Sequence, residues 1–170
     1  MNQSITFQLL TPDDFKDVYD VALKSWEYAY RDIYTKEKIK FYIDKYYSAE
    51  ILENILSQIK LKKVLFLVAK SGSQAIGFCN FIIHNNNQAE LLRTYLLPEY
   101  IGKGIGGKML NEGERFLILS GVSKYFCYVH AKNEIGQKFY LKNGFILKGE
   151  SKNELFDNEC DLVFEKVLGV

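Results

Sequence analysis

The chain has 170 residues, 48% of them hydrophobic and 25% charged, the profile of a soluble globular protein with one domain. Its 22 basic and 21 acidic residues leave no global charge to draw it to nucleic acid or to a membrane surface. Three widely spaced cysteines, Cys79, Cys127 and Cys160, fit neither a disulfide framework nor a zinc spacing, and no apolar run approaches the roughly 18 residues of a membrane span.

Residues 4–10 predict a first strand. No basic region with a long apolar stretch precedes it, so no signal peptide is expected, and a cytoplasmic location with free thiols is. Thr11-Pro12-Asp13-Asp14 carries a helix start, with Thr11 as N-cap, proline in the first turn and acids beside the positive end of the dipole. Phe15, Val18, Tyr19, Ala22 and Leu23 then recur at helical spacing. Trp26, Tyr28, Tyr30 and Tyr34 follow as an aromatic stretch running towards a second helical region. Residues 48–59 predict an amphipathic helix capped by Ser48, with Ile51, Leu52, Ile55, Leu56 and Ile59 on one face.

The period then changes. Residues 64–69 and 75–83, joined at Ser71-Gly72-Ser73, predict a hairpin. A polar turn over 84–87 leads to a strand over 89–97, which Pro98 ends. Beyond a glycine-rich loop, a helix is predicted over about 104–120, with Met109, Leu110, Gly113, Phe116 and Leu117 inward and Gly121 closing it. A strand over 124–129, a short helix over 133–142, a turn at Asn143-Gly144 and strands over 145–148 and 160–167 complete the chain. Cys79 and Cys127 fall in apolar strands and read as buried packing. The order β-α-α-β-β-β-α-β-α-β-β is a mixed α/β pattern without internal repeats.

Glycines 102, 104, 106 and 107 lie between a strand and a helix. Lacking Cβ atoms, they let backbone N–H groups approach a ligand, and a helix N-terminus favours an anion there. Lys103 and Lys108 add positive charge nearby. Residues 102–108 match the G-x-x-x-x-G-K spacing of a P-loop, but Met109 stands where that motif needs Ser or Thr for magnesium. Gly102-x-Gly104-x-x-Gly107 fits a dinucleotide fingerprint, but Lys124-Tyr125-Phe126 occupies the region where its acidic residue belongs. A bare turn explains little, since four glycines in six positions weaken a helix start.

A third reading uses more of the chain. Residues 90–106, ELLRTYLLPEYIGKGIG, and 133–145, NEIGQKFYLKNGF, resemble the two acetyl-CoA motifs of the GNAT N-acetyltransferases, in the family's order and about thirty residues apart. The family patterns are Q/R-x-x-G-x-G/A and N-x-x-A-x-x-F-Y-x-x-x-G-F. Ile101 departs from the Gln/Arg position, and Gly136 replaces the usual alanine, a small-for-small change. The resemblance implies a single acetyltransferase domain over 1–170, with a GNAT-type mixed sheet of about six to seven strands and about four helices. It implies acetyl-CoA as co-substrate, no metal, and a small-molecule amine as acceptor. Protein N-termini, lysines or non-catalytic acyl-CoA binding stand as alternatives. A homodimer is compatible with this reading.

The same resemblance assigns roles. Residues Tyr95, Leu96, Leu97, Ile101, Gly102, Lys103, Gly104, Ile105, Gly106, Gly107, Asn133 and Tyr140 are expected to hold the coenzyme. Tyr140 matches the family tyrosine that protonates the departing thiolate, and a phenol with a reference pKa near 10 is protonated at neutral pH. Asn133 also reads as an ordinary helix N-cap. Glu90 matches a carboxylate that some relatives use as base; His84 and His130 are alternatives with suitable reference pKa. Trp26 and Tyr30 are expected in the acceptor wall, where aromatic faces suit a cation. The acidic stretch over 153–161, taken with the overall layout, resembles the polyamine-acetylating PaiA branch and suits a polycation.

Overall fold

Capping residues set the first helix boundaries in the computed structural model, which describes residues 4–84, 88–153 and 159–169. After β1 (Ile5–Leu9), a 3-10 turn (Pro12–Asp14) opens α1 (Phe15–Ala29). The Asp14 carboxylate accepts from the Thr11 N–H at 2.9 Å and the Thr11 hydroxyl at 2.8 Å, and it is buried against Lys70 at 2.5 Å. α2 (Lys36–Tyr46) begins where the Thr35 hydroxyl accepts from Lys38 N–H, and α3 (Ala49–Lys60) where Ser48 accepts from Ile51 N–H. Three helices therefore precede the first hairpin, not two, and five occur among the described residues. Thr35 supplies the extra cap, and Tyr30 and Tyr34 fall in the connector between α1 and α2.

The strands are β2 (Val64–Ser71), β3 (Gln74–His84), β4 (Gln88–Leu96), β5 (Lys124–His130), β6 (Ile146–Lys152) and β7 (Cys160–Val167). Between them lie α4 (Ile105–Leu119) and α5 (Glu134–Lys142). The seven strands form one sheet in the order β1-β2-β3-β4-β5-β7-β6, in which β4 and β5 pair in parallel and the other neighbours antiparallel. Residues 85–87 of the expected polar turn and 154–158 of the acidic stretch lie outside the described residues.

Strand alternation sorts the side chains onto two faces. Phe78 meets Phe66, Tyr95 and Tyr47, the last at the C-terminal end of α2, on the face that α1 to α3 cover. The opposite face packs on α4. A Cβ on Gly113 would lie 2.5 Å from Phe81, so the helix needs glycine there to sit close. Tyr125 meets Phe81 on this second face, with Phe145 and Tyr140 packed beside it. Cys79 and Cys127 are buried, and burial pushes both thiols up, so they stay protonated.

Two irregularities in β4 prepare the site. Only residues 88–90 pair with residues 124–126 of β5, although both strands run on, to Leu96 and His130. On its other edge, Phe81 pairs with Leu91 and Asn80 with Arg93, so Leu92 is an extra residue, a bulge. The bulge resets the alternation. Leu91 and Thr94 face α4, while Glu90, Arg93 and Tyr95 face the first three helices.

Candidate active site

The gap between β4 and β5 opens a cavity of about 410 Å³ on the side of α4 and α5. Beyond Glu90, the edge of β4 that faced β5 has no strand partner among the described residues, so its backbone groups are available to an extended ligand. Tyr95 and Leu96 line this cavity, and the Leu96 carbonyl also accepts from the Ser25 hydroxyl at 3.0 Å. Leu97 does not line it. Leu97 is buried and its N–H donates to the Ile76 carbonyl at 2.8 Å, which turns it towards β3.

At the far end lies the glycine loop. Gly102 and Gly104 have φ of +81° and +77°, with Gly104 at the N-cap of α4. The first intrahelical bond runs from Lys108 N–H to the Gly104 carbonyl, leaving the N–H groups of Ile105, Gly106 and Gly107 without helical acceptors. These donors and the dipole favour an anion at the cavity wall. Gly106 and Gly107 answer to packing instead: added Cβ atoms would lie 2.8 Å from Phe139 and 2.9 Å from Asn143 Oδ1. Ile101 lines the cavity, whereas Lys103 points away with its ammonium 5.1 Å from the Tyr100 ring centre. Lys138 and Lys142 of α5 line it as well, although nothing in the motif spacing singles them out.

Tyr140 sits on α5 with its ring against Phe139, Phe145 and Phe164, 8% exposed. Burial pushes its phenol well above the ordinary value near 10. Asn133 caps α5, its Oδ1 accepting from Gly136 N–H at 3.0 Å, and the residue also lines the cavity. Its Nδ2 donates to the Tyr30 hydroxyl at 3.2 Å. A Cβ on Gly136 would lie 3.1 Å from both Asn133 Nδ2 and Val129 Cγ1, so the glycine leaves room for this cap.

A second cavity, also about 410 Å³, opens on the other face of the sheet. Trp26, Tyr30, Tyr34 and Tyr46 wall it, with the Trp26 and Tyr30 ring centres 4.7 Å apart. Glu90 and Asp161 bring carboxylates to it, the latter held by Asn153 Nδ2 at 2.8 Å. Tyr30, Leu92, Arg93, Tyr95 and Tyr128 line both cavities, which therefore meet through the gap. Burial raises the phenols of Tyr30 and Tyr34 above their ordinary range, the latter further because it donates to Glu159.

The three candidate bases differ in how they are held. Glu90 sits at the last paired position of β4, with His84 Nε2 3.5 Å from Oε2. His130 is committed at both ring nitrogens. Nδ1 accepts from Lys132 N–H at 3.2 Å, so the proton rests on Nε2, which donates to Glu159 at 2.9 Å. Burial opposes ionisation of Glu159, but Tyr34, His130 and Lys38 outweigh it and hold the carboxyl below its usual range. Among the described residues no group of three His, Cys, Asp or Glu side chains is placed to hold a metal ion, and no helix is long and apolar enough to cross a membrane.

Comparison with known proteins points in the same direction. Residues 17–145 match the acetyltransferase (GNAT) family. A spermidine N(1)-acetyltransferase of Thermoplasma acidophilum is 42% identical over 144 residues, 84% of this chain and 88% of that protein. The crystal structure of the PaiA N-acetyltransferase of the same organism, in complex with coenzyme A, superposes with a TM-score of 0.88 at 37% identity, covering 96% of this chain and 99% of that one. The ribosomal-protein-S18-alanine N-acetyltransferase of Escherichia coli covers 98% of the chain at a TM-score of 0.69, but at 15% identity it shares the fold alone.

Proposed function

Because the chain belongs to the GNAT family of acetyltransferases, we propose that it transfers the acetyl group of acetyl-CoA to a primary amine of a polyamine-like small molecule, by direct attack in a ternary complex. One observation carries this reading. The split between β4 and β5 joins a backbone-lined anion cleft to an aromatic, acid-bearing cavity.

The residues present suit the coenzyme. Backbone N–H groups of the Gly102 to Gly107 loop take the pyrophosphate, as helix N-termini do. The unpaired edge of β4 at Tyr95 and Leu96 takes the pantetheine arm, and its backbone donors face the carbonyl oxygen as charge develops there. Tyr140 gives its proton to the departing thiolate. Glu90 takes the proton that the ammonium must lose before the nitrogen can attack; His130, with both nitrogens engaged, is a poorer acceptor. Trp26 and Tyr30 flank the acceptor through their ring faces, and Asp161 meets a second ammonium further along the cavity. A triamine of the spermidine type, with charges spaced along an apolar chain, matches this order.

Thiol release with a panel of acceptors tests the proposal. A triamine is expected to give the highest kcat/KM, ahead of diamines, monoamines and peptides with a free N-terminus or lysine. Preference for a peptide would overturn the acceptor class. Coenzyme A binding with no turnover across the panel would overturn the enzyme reading.

A further inference from the structure

The donor cavity holds a polar group with no task in the fold. Thr94 pairs with Cys79 of β3, and the bulge at Leu92 places it on the α4 and α5 face with Cys127 and Tyr140. Its Oγ1 is buried and makes no hydrogen bond to any described residue. Buried hydroxyls are nearly always paired, so an unpaired one lining a cavity calls for a reason. The Tyr140 phenol faces this hydroxyl and the Cys127 thiol.

The chemistry proposed for Tyr140 supplies the reason. A cysteine thiol has a reference pKa of about 8.5, and a phenol begins near 10. Burial among Phe139, Phe145 and Phe164 moves the phenol further up, so it is the weaker acid of the two. The proton then moves to sulfur readily only if the phenolate left behind receives a hydrogen bond. Cys127 is a weak donor, and the Lys138 ammonium is exposed and paired with Glu134 at 3.2 Å. The Thr94 hydroxyl is the strong donor beside the ring oxygen.

Resting on the assignment of Tyr140 as the acid, we infer that Thr94 is its positioning residue. As the Tyr140 O–H bond breaks and the S–H bond of coenzyme A forms, the Thr94 O–H donates a hydrogen bond to the phenolate oxygen. The phenolate recovers a proton from solvent after the thiol leaves.

Four variants test this: Thr94→Val, Thr94→Ser, Tyr140→Phe and the double Thr94→Val/Tyr140→Phe, each checked by thermal melting and by calorimetric binding of coenzyme A. Loss of a hydrogen bond to a charged oxygen is expected to lower kcat of Thr94→Val roughly tenfold to a hundredfold, with both KM values within about twofold. Thr94→Ser is expected to stay within about threefold of the parent. On the Tyr140→Phe background, Thr94→Val should change kcat less than about twofold, because the oxygen it serves is gone. The inference is overturned if Thr94→Val keeps the parent kcat, if serine fails to restore it, or if the valine penalty persists without the phenol. Parent-like turnover in Tyr140→Phe overturns instead the acid assignment beneath it. Should Thr94→Val not fold, Thr94→Ala takes its place with the same expectations.

Discussion

The two cavities that meet between β4 and β5 are equal in volume, about 410 Å³ each, and opposite in construction. The donor side is backbone: two left-handed glycines, three N–H groups at the start of α4, and the unpaired edge of β4. The acceptor side is side chain: rings from α1, from the connector after it and from α2, with carboxylates from β4 and β7. A backbone site binds a group that never varies and needs only glycine and a helix start. A side-chain site can be retuned for each acceptor without touching the donor half. The difference shows in how variants should behave.

The largest effect belongs to the donor side. At Gly104 the space for a side chain is open, but φ is +77°, which a β-branched residue scarcely adopts. Gly104→Val should therefore displace the loop's donors and weaken coenzyme A binding about a hundredfold by calorimetry. Affinity equal to the parent would show that the loop is not a backbone site. A smaller effect is expected from the acceptor side. Asp161→Asn keeps shape and removes charge, so KM for a triamine should rise about fivefold to tenfold, while KM for a monoamine and kcat stay level. Equal shifts for both amines would mean that Asp161 shapes the cavity without reading charge.

The smallest effect on activity belongs to neither half. Asp14 opens α1 from the edge strand, far from the gap, and pairs with Lys70 while 1% exposed. Burial opposes its ionisation, but Lys70 and Thr11 outweigh it, so its folded pKa lies below the ordinary 3.8. A depressed carboxyl contributes stability above its unfolded value, and that contribution fades as pH falls through the folded one. Asp14→Asn should cost about 3 kcal/mol in denaturant unfolding at pH 7 and progressively less below about pH 4, with both KM values unchanged. A shift in either KM would tie this corner of the fold to the site.

The halves also differ in how far they could be read beforehand. Gly102, Gly104, Asn133 and Tyr140 are local signals whose spacing follows from a strand, a loop and a helix start. All four line one cavity. Lys103 and Leu97 share the motif segment but leave the cavity, because exposure lets one lie over Tyr100 and a bond to Ile76 turns the other inward. On the acceptor side Trp26 and Tyr30 were legible as an aromatic run. Tyr46, Arg93, Tyr128 and Asp161 join them from four separate elements, and no spacing along the chain announces that meeting.

The sequence alone marked most of the elements and singled out the glycine loop as an anion site, since caps, glycines and hydrophobic period act within a few residues of where they stand. Tertiary structure decided the rest. The bulge at Leu92 sends Thr94 to one face and Glu90, Arg93 and Tyr95 to the other, and the end of pairing at Glu90 opens the sheet between them. Register and splay depend on how β3 and β5 lie against β4, which is a balance of packing across the whole sheet and is written at no single position.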